Sequence, residues 1–259
     1  MVTFAVNTPI TISTTRKLNL VIDIGNTRVK AASFDKHSLT NLFVYNNTES
    51  FISDFELKFK GAKQVIISSV LHNKPDVVEK LKFNETPIFF SGNIPLPIHN
   101  LYRSPNTLGS DRLAAAVAAE SLYKNANVLN IDTGTCIKYN FVSSDSKFLG
   151  GATSPGLVMR LKSLHSFTAG LPLVEFNTDF NELIGTDTQD SILSGALLGA
   201  IAEADGIINQ YKQRFPGLTV VVSGGDTEFF VKRLKNSTFA RPHLVLEGLN
   251  KILEYNVNK

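Results

Sequence analysis

The stretch Leu18-Asn19-Leu20-Val21-Ile22-Asp23-Ile24-Gly25-Asn26-Thr27 decides how this chain is read. Its apolar residues outnumber the polar ones on both faces, as in a central strand buried from two sides, and Gly25-Asn26-Thr27 stops it in a turn. The pattern restarts in the second half, where Val128-Leu129-Asn130-Ile131-Asp132 runs into Thr133-Gly134-Thr135. A third apolar run, Thr219-Val220-Val221-Val222-Ser223, ends in Gly224-Gly225-Asp226-Thr227. One strand closing on Asp-x-Gly is ordinarily a tight turn. Two Asp-x-Gly turns with a threonine close behind, Asp23-Ile24-Gly25-Asn26-Thr27 and Asp132-Thr133-Gly134-Thr135, each opening one half of a chain, ask for more than that.

Outward from these strands, Val65-Ile66-Ile67-Ser68-Ser69-Val70 reads as another strand leading to a helix around Pro75 to Leu81, and Pro87-Ile88-Phe89-Phe90 as a third in the first half. A proline-bearing loop spans Asn93 to Gly109, and an alanine-rich helix follows from about Ser110 to Lys124. A second helix is expected from Ser191 to Arg214, with Ser194, Gly195, Ala196, Gly199 and Ala200 suited to close packing. Alternating strands and helices place the chain in the α/β class. The division expected is an extension over residues 1–16, a first domain over 17–121 and a second over 122–259, joined without a low-complexity linker.

Composition narrows the function classes. At 259 residues the chain holds one large domain or two modest ones, each with its own core. A net charge of +3 with scattered basic residues gives no reason to expect a nucleic-acid surface; the run Lys58 to Lys63 reads as a solvated helix end. A single cysteine, Cys136, excludes an intrachain disulfide and a cysteine zinc cluster, in keeping with a reducing cytosol. The histidines form no metal-ligand pair on one helix, and no apolar run is expected to span a bilayer. The threonine-rich start carries its basic pair, Arg16-Lys17, last, the reverse of a secretory signal.

The three turns share a chemistry. In open α/β sheets, ligands bind beyond the carboxyl ends of strands. Glycine lets the backbone approach a phosphate with its N–H groups exposed, and threonine adds a hydroxyl donor. An aspartate at the strand end can hold Mg²⁺ and so neutralise β- and γ-phosphate charge. Competing nucleotide motifs, GxxxxGK[ST] and GxGxxG, are missing from the sequence. The duplicated layout resembles the actin, Hsp70 and sugar kinase superfamily. That resemblance implies two related ribonuclease H-like domains with ATP in the cleft between them, and an adenosine loop at Ser223-Gly224-Gly225.

The segment Tyr102-Arg103-Ser104-Pro105-Asn106-Thr107-Leu108-Gly109-Ser110-Asp111-Arg112 puts an acid and a base side by side at a helix start. Ser110 and Asp111 would serve as N-cap residues on that ground alone. A helix start also favours negative charge at Asp111. An ionised carboxylate suffices for phosphoryl transfer, whose loose transition state asks mainly that the nucleophilic hydroxyl be oriented. Arg112 offers a planar fork for a carboxylate or a phosphate oxygen.

Together these motifs resemble the type III pantothenate kinase family: Asp23 to Thr27, Tyr102 to Arg112, Asp132 to Thr135, and Gly150-Gly151-Ala152-Thr153-Ser154-Pro155-Gly156. Thr168-Ala169-Gly170-Leu171-Pro172, and Gly185-Thr186-Asp187-Thr188 leading to Ser194-Gly195, extend the match from about Leu18 to the C-terminus. The resemblance implies a cytoplasmic homodimer that phosphorylates pantothenate with ATP. It assigns the hydroxyl proton to Asp111, and the phosphates to Asp23, Gly25, Asn26, Thr27, Gly134, Thr135, Gly224 and Gly225, with Mg²⁺ at Asp23. Tyr102, Gly109, Ser110, Asp111 and Arg112 would line the pantothenate pocket, and Thr188 would reach the pocket of a neighbouring subunit. A monovalent cation, K⁺ or NH₄⁺, is implied at Asp132.

Some residues stay open at this level. Lys30 either reaches a phosphate or faces solvent, His165 either faces substrate or is simply packed or solvent-exposed, and Cys136 reads as a small buried residue. The chain departs from the family pattern at Lys138 and Asn140, where a threonine and an aspartate are usual. Lys138 is then either an exposed strand residue or a source of the positive charge that K⁺ supplies elsewhere. The rival functions are a kinase of another small molecule on this fold and a non-catalytic regulator.

Overall fold

In the computed structural model, which describes residues 18–25, 28–59, 61–69, 79–90 and 94–257, the first apolar stretch is strand β1 (Asn19–Ile24) at the centre of a five-stranded sheet. It pairs antiparallel with β2 (Val29–Asp35), which pairs with β3 (Ser38–Tyr45), and parallel with β4 (Gln64–Ser69), which pairs with β5 (Ile88–Phe90). Burial on both faces explains why β1 is almost continuously apolar.

The second half repeats this arrangement. Strand β7 (Val128–Thr133) sits between the antiparallel pair β8 (Cys136–Val142) and β9 (Lys147–Pro155) on one side and the parallel strands β10 (Thr219–Ser223) and β11 (Phe239–Ala240) on the other. The orders β3-β2-β1-β4-β5 and β9-β8-β7-β10-β11 thus correspond strand for strand. A short strand from the proline-bearing loop, β6 (His99–Asn100), adds to the edge of the second sheet against β9.

Among the described residues, three helices cover the first sheet and join it to the second half. Helix α1 (Thr48–Phe59) buries Phe51, Phe55 and Phe59, spaced one turn apart, against the first sheet. The alanine-rich helix is α2 (Ser110–Leu122). Its small side chains admit the C-terminal helix at backbone contact: a Cβ on Gly248 would collide with the carbonyl of Ala114. That C-terminal helix, Leu244–Val257, also returns to β1, where Asn250 accepts from Asn19 at 2.8 Å and donates to the carbonyl of Lys36 at 2.7 Å.

The expected long helix runs further than expected, over Thr188–Arg214, with a π turn at Ser194–Leu198 where the small residues cluster. By length and composition this helix could cross a membrane, which corrects the expectation that no run could. Half of its apolar window is buried, with Ile192, Leu193, Ala196 and Leu197 in the core of the second sheet. The expected helix around Pro75 falls mostly outside the described residues, as does the extension over 1–16.

Candidate active site

Strands β1 and β4 run parallel in the first sheet and β7 and β10 in the second, and their carboxyl ends carry the candidate residues. Asp23 ends β1, and the register of the β1–β2 pair sets Lys30 directly opposite it. Gly25 closes the first turn by donating its N–H to the carbonyl of Arg28 at 3.0 Å. Asn26 and Thr27 lie outside the described residues. Oδ1 of Asp23 is buried and finds no hydrogen-bond partner among the described residues. Burial pushes the Asp23 carboxyl up to about 6; Lys30 opposes this, while the negative charges of Asp111 and Asp132 add to it. Asp111 and Asp132, from distant parts of the chain, therefore share a field with Asp23.

Asp111 is placed by the start of α2. The N-cap is Gly109 with no side-chain cap, so Ser110 and Asp111 fall in the first turn instead of capping it. Ser110 is tied to the first sheet through a buried hydrogen bond of 2.8 Å to Ser68 on β4. Asp111 Oδ1 accepts from the backbone N–H of Arg112 at 2.8 Å. A Cβ on Gly109 would stand 2.6 Å from that same oxygen, so the glycine keeps the carboxylate free to take this position.

The second and third turns interlock. Asp226 N–H donates to the carbonyl of Thr133 at 3.1 Å, and Thr133 Oγ1 donates to the carbonyl of Ser223 at 2.8 Å. Gly224 has φ +93, and a Cβ there would collide with the Thr133 carbonyl, so only glycine fits. At Gly134 and Gly225 an added Cβ would meet nothing within 4 Å, leaving room for a ligand against the turns. Asp226 is raised to about 6 by burial, an effect Arg28 opposes and Asp132 reinforces. The Arg28 contribution brings the first turn to the third.

A buried polar chain links the helix start to these turns. Arg112 Nε donates to Asn140 Oδ1 at 2.7 Å, and Asn140 Nδ2 donates to Asn130 Oδ1 at 3.2 Å. Asn130 Nδ2 donates to Ser223 Oγ at 2.9 Å, and Ser223 Oγ donates to Asp132 Oδ1 at 3.4 Å. Arg112 is only 8% exposed, and its guanidinium lies 5.6 Å from the Tyr102 ring centre. Sequence reasoning did not assign Asn130, Ser68, Arg28 or Asp226. The first two carried a signal, a polar side chain inside an apolar strand.

Lys138 is not an exposed strand residue. It faces Asp132 across the β7–β8 pair, and its ammonium donates to Asp111 Oδ2 at 2.5 Å and to Asp132 Oδ2 at 3.3 Å. Burial disfavours that ammonium, but Asp132 and Asp111 outweigh it and hold the group protonated well above the usual lysine range.

Other expected residues lie elsewhere. Thr188 opens the helix at Thr188–Leu193, is exposed, and lines a cavity of about 850 Å³ with Arg160, Leu164 and Leu171. His165 is exposed, with Nδ1 2.8 Å from the carbonyl of Leu171. Cys136 is half-buried, not buried as expected.

Two sheets of one topology with paired aspartate–glycine turns define the actin-like ATPase fold that sugar kinases share. A glucokinase of the ROK family from Streptomyces griseus superposes with TM-score 0.53 at 12% identity, over 92% of this chain and 99% of that one. A Campylobacter jejuni protein described as a Baf family transcriptional activator gives 0.60 at 20% identity, over 93% and 100%. Sequence narrows the class. The type III pantothenate kinase family model matches residues 19–210. Type III pantothenate kinases from Christiangramia forsetii and Bacteroides fragilis are 43% and 42% identical over 92% of this chain and 99% and 98% of theirs. The chain belongs to the type III pantothenate kinase family.

Proposed function

We infer that the protein transfers the terminal phosphoryl group of ATP to the primary hydroxyl of pantothenate, giving 4'-phosphopantothenate, the first step of coenzyme A biosynthesis. The observation that carries this reading is the convergence of Asp23, Asp111 and Asp132 at the ends of two related sheets, with room beside Gly134 and Gly225. Asp111 orients the substrate hydroxyl and takes its proton. Tyr102, Gly109, Ser110 and Arg112 shape the pocket around that hydroxyl. Gly25, Asn26, Thr27, Lys30, Thr135 and Gly224 complete the nucleotide side.

Mg²⁺ fits at Asp23, whose Oδ1 is buried without a partner among the described residues and is suited to a hard cation directly or through water. When bound, the ion would neutralise phosphate charge. A monovalent cation at Asp132 would have to share that carboxylate with the ammonium of Lys138.

The homodimer belongs to the same reading. Phe167, Leu183 and Ile184 are 87%, 77% and 78% exposed, in the segments that border the Thr188 cavity. Large apolar side chains clustered at a surface favour burial against a second copy, which would bring Thr188 to its pocket. A cytoplasmic location and a division of the chain near residue 121 complete the proposal.

The test is ADP release by the purified protein with pantothenate, and then with sugars and acetate. Turnover confined to pantothenate supports the assignment. Turnover with another acceptor, or with none, replaces it with a different kinase or a regulator.

A further inference from the structure

We propose that Lys138 is a built-in monovalent cation: its ammonium holds Asp111 and Asp132 together and removes the need for added K⁺ or NH₄⁺.

Charge balance calls for such a group. The charges of Asp23, Asp111 and Asp132 act on one another, but Asp23 has Lys30 opposite it, so it is the Asp111–Asp132 pair that something positive has to balance before phosphates arrive. The Lys138 ammonium bridges two of the three, at 2.5 Å from Asp111 Oδ2 and 3.3 Å from Asp132 Oδ2. Side-chain exposures of 24% for Lys138, 15% for Asp111 and 14% for Asp132 set this bridge apart from a solvated surface pair.

Both oxygens of Asp132 already have a partner, so a free ion would have to compete with a tethered one. Its Oδ2 faces the ammonium and its Oδ1 accepts from Ser223 at 3.4 Å. An alkylammonium carries the same single charge as K⁺ or NH₄⁺, donates hydrogen bonds to carboxylates as NH₄⁺ does, and is delivered by the chain at a fixed point. The donor set therefore does not fit a separate monovalent cation at Asp132.

Topology shows how the group comes to be there. The register that sets Lys138 opposite Asp132 in the second sheet is matched by Lys30 opposite Asp23 in the first. Each half thus carries its own aspartate–lysine pair at the end of its central strand. Lys138 alone reaches across to the helix start, which Ser110 and Ser68 fasten to the first sheet. Lys138 is accordingly a positioning residue. It sets the distance between the proton-accepting carboxylate and the second phosphate turn.

The inference rests on the pantothenate kinase reading, and its test separates the two. Turnover of pantothenate is measured in choline chloride buffers of constant ionic strength, with K⁺ or NH₄⁺ replacing choline. The wild type is expected to turn over equally in all of them. Lys138→Ala is expected to lose on the order of tenfold or more in choline, and to regain activity saturably with NH₄⁺ or methylammonium. Melting temperature gives a readout free of turnover: NH₄⁺ should raise that of Lys138→Ala above its value in choline and leave the wild type unmoved. A steep K⁺ requirement in the wild type, or a variant as indifferent to cations as the wild type, overturns the proposal. If Lys138→Ala does not fold, Lys138→Met replaces it, and the wild-type titration stands regardless. Absence of pantothenate turnover under every cation would sink the function, while the melting shifts would still decide the cation question.

Discussion

Ser68, at the end of β4, and Ser110, in the first turn of α2, share a buried hydrogen bond of 2.8 Å that fixes the helix carrying Asp111 to the first sheet. Ser68 is wholly buried, so the bond cannot be exchanged for one to solvent. Removing one hydroxyl strands the other at a cost of about 1–3 kcal/mol, whereas removing both costs less. Ser110→Ala should therefore lower the urea midpoint, and the double change Ser68→Ala with Ser110→Ala should recover part of the loss. A double variant no more stable than Ser110→Ala would contradict this.

Asp111→Asn keeps the shape of the side chain and removes its ability to take a proton. Turnover should fall by on the order of 10²–10⁴, with ATP binding by calorimetry nearly unchanged. Unaltered turnover would take Asp111 out of the mechanism.

The two adjacent glycines of the third turn should respond differently. Gly224→Ala drives a Cβ into the Thr133 carbonyl at φ +93, so it should cost a few kcal/mol of stability. Gly225→Ala meets open space on the protein side, so stability should hold while the KM for ATP rises. Thermal melts and ATP titrations of the two variants check the contrast.

The pH dependence of stability can be traced at Asp226, whose carboxyl is raised to about 6 by burial against the help of Arg28. The unfolded chain releases this proton near the ordinary value of 3.8, while the folded chain keeps it up to about 6. Raising the pH through that window therefore costs folded-state stability, and above it the loss stays constant. With solvent screening allowed for, the loss is about 1–2 kcal/mol. Relative to Asp226→Asn, the ligand-free wild type should weaken between pH 4 and pH 6, followed by urea midpoints. A wild type that gains on the variant over this range would show that the sign is wrong.

Much of the fold was legible in the chain because its signals are local. Burial from both sides makes β1, β7 and β10 almost continuously apolar, and each must end where glycine and a polar residue turn the backbone. The repeat of a strand ending in Asp-x-Gly with a threonine close behind marked two related halves, and Tyr102 to Arg112 marked the helix start that bears Asp111. The strand pairs β2–β3 and β8–β9 carried weaker signals, since each has a face or an end that is partly exposed.

What the sequence determined by itself was which strands lie at the centre of each half and which residues stand at their ends, because burial and turn chemistry act over a few neighbouring residues. Tertiary structure alone decided that the C-terminal helix returns to β1 through Asn250, and that Lys138 spans Asp111 and Asp132. The first joins residues 231 apart, and in the second Lys138 meets Asp132 within one hairpin, 6 residues away, but reaches Asp111, 27 residues away, only where the helix start packs against the sheet. Such contacts are set by sheet register and helix packing, which no short stretch of sequence encodes.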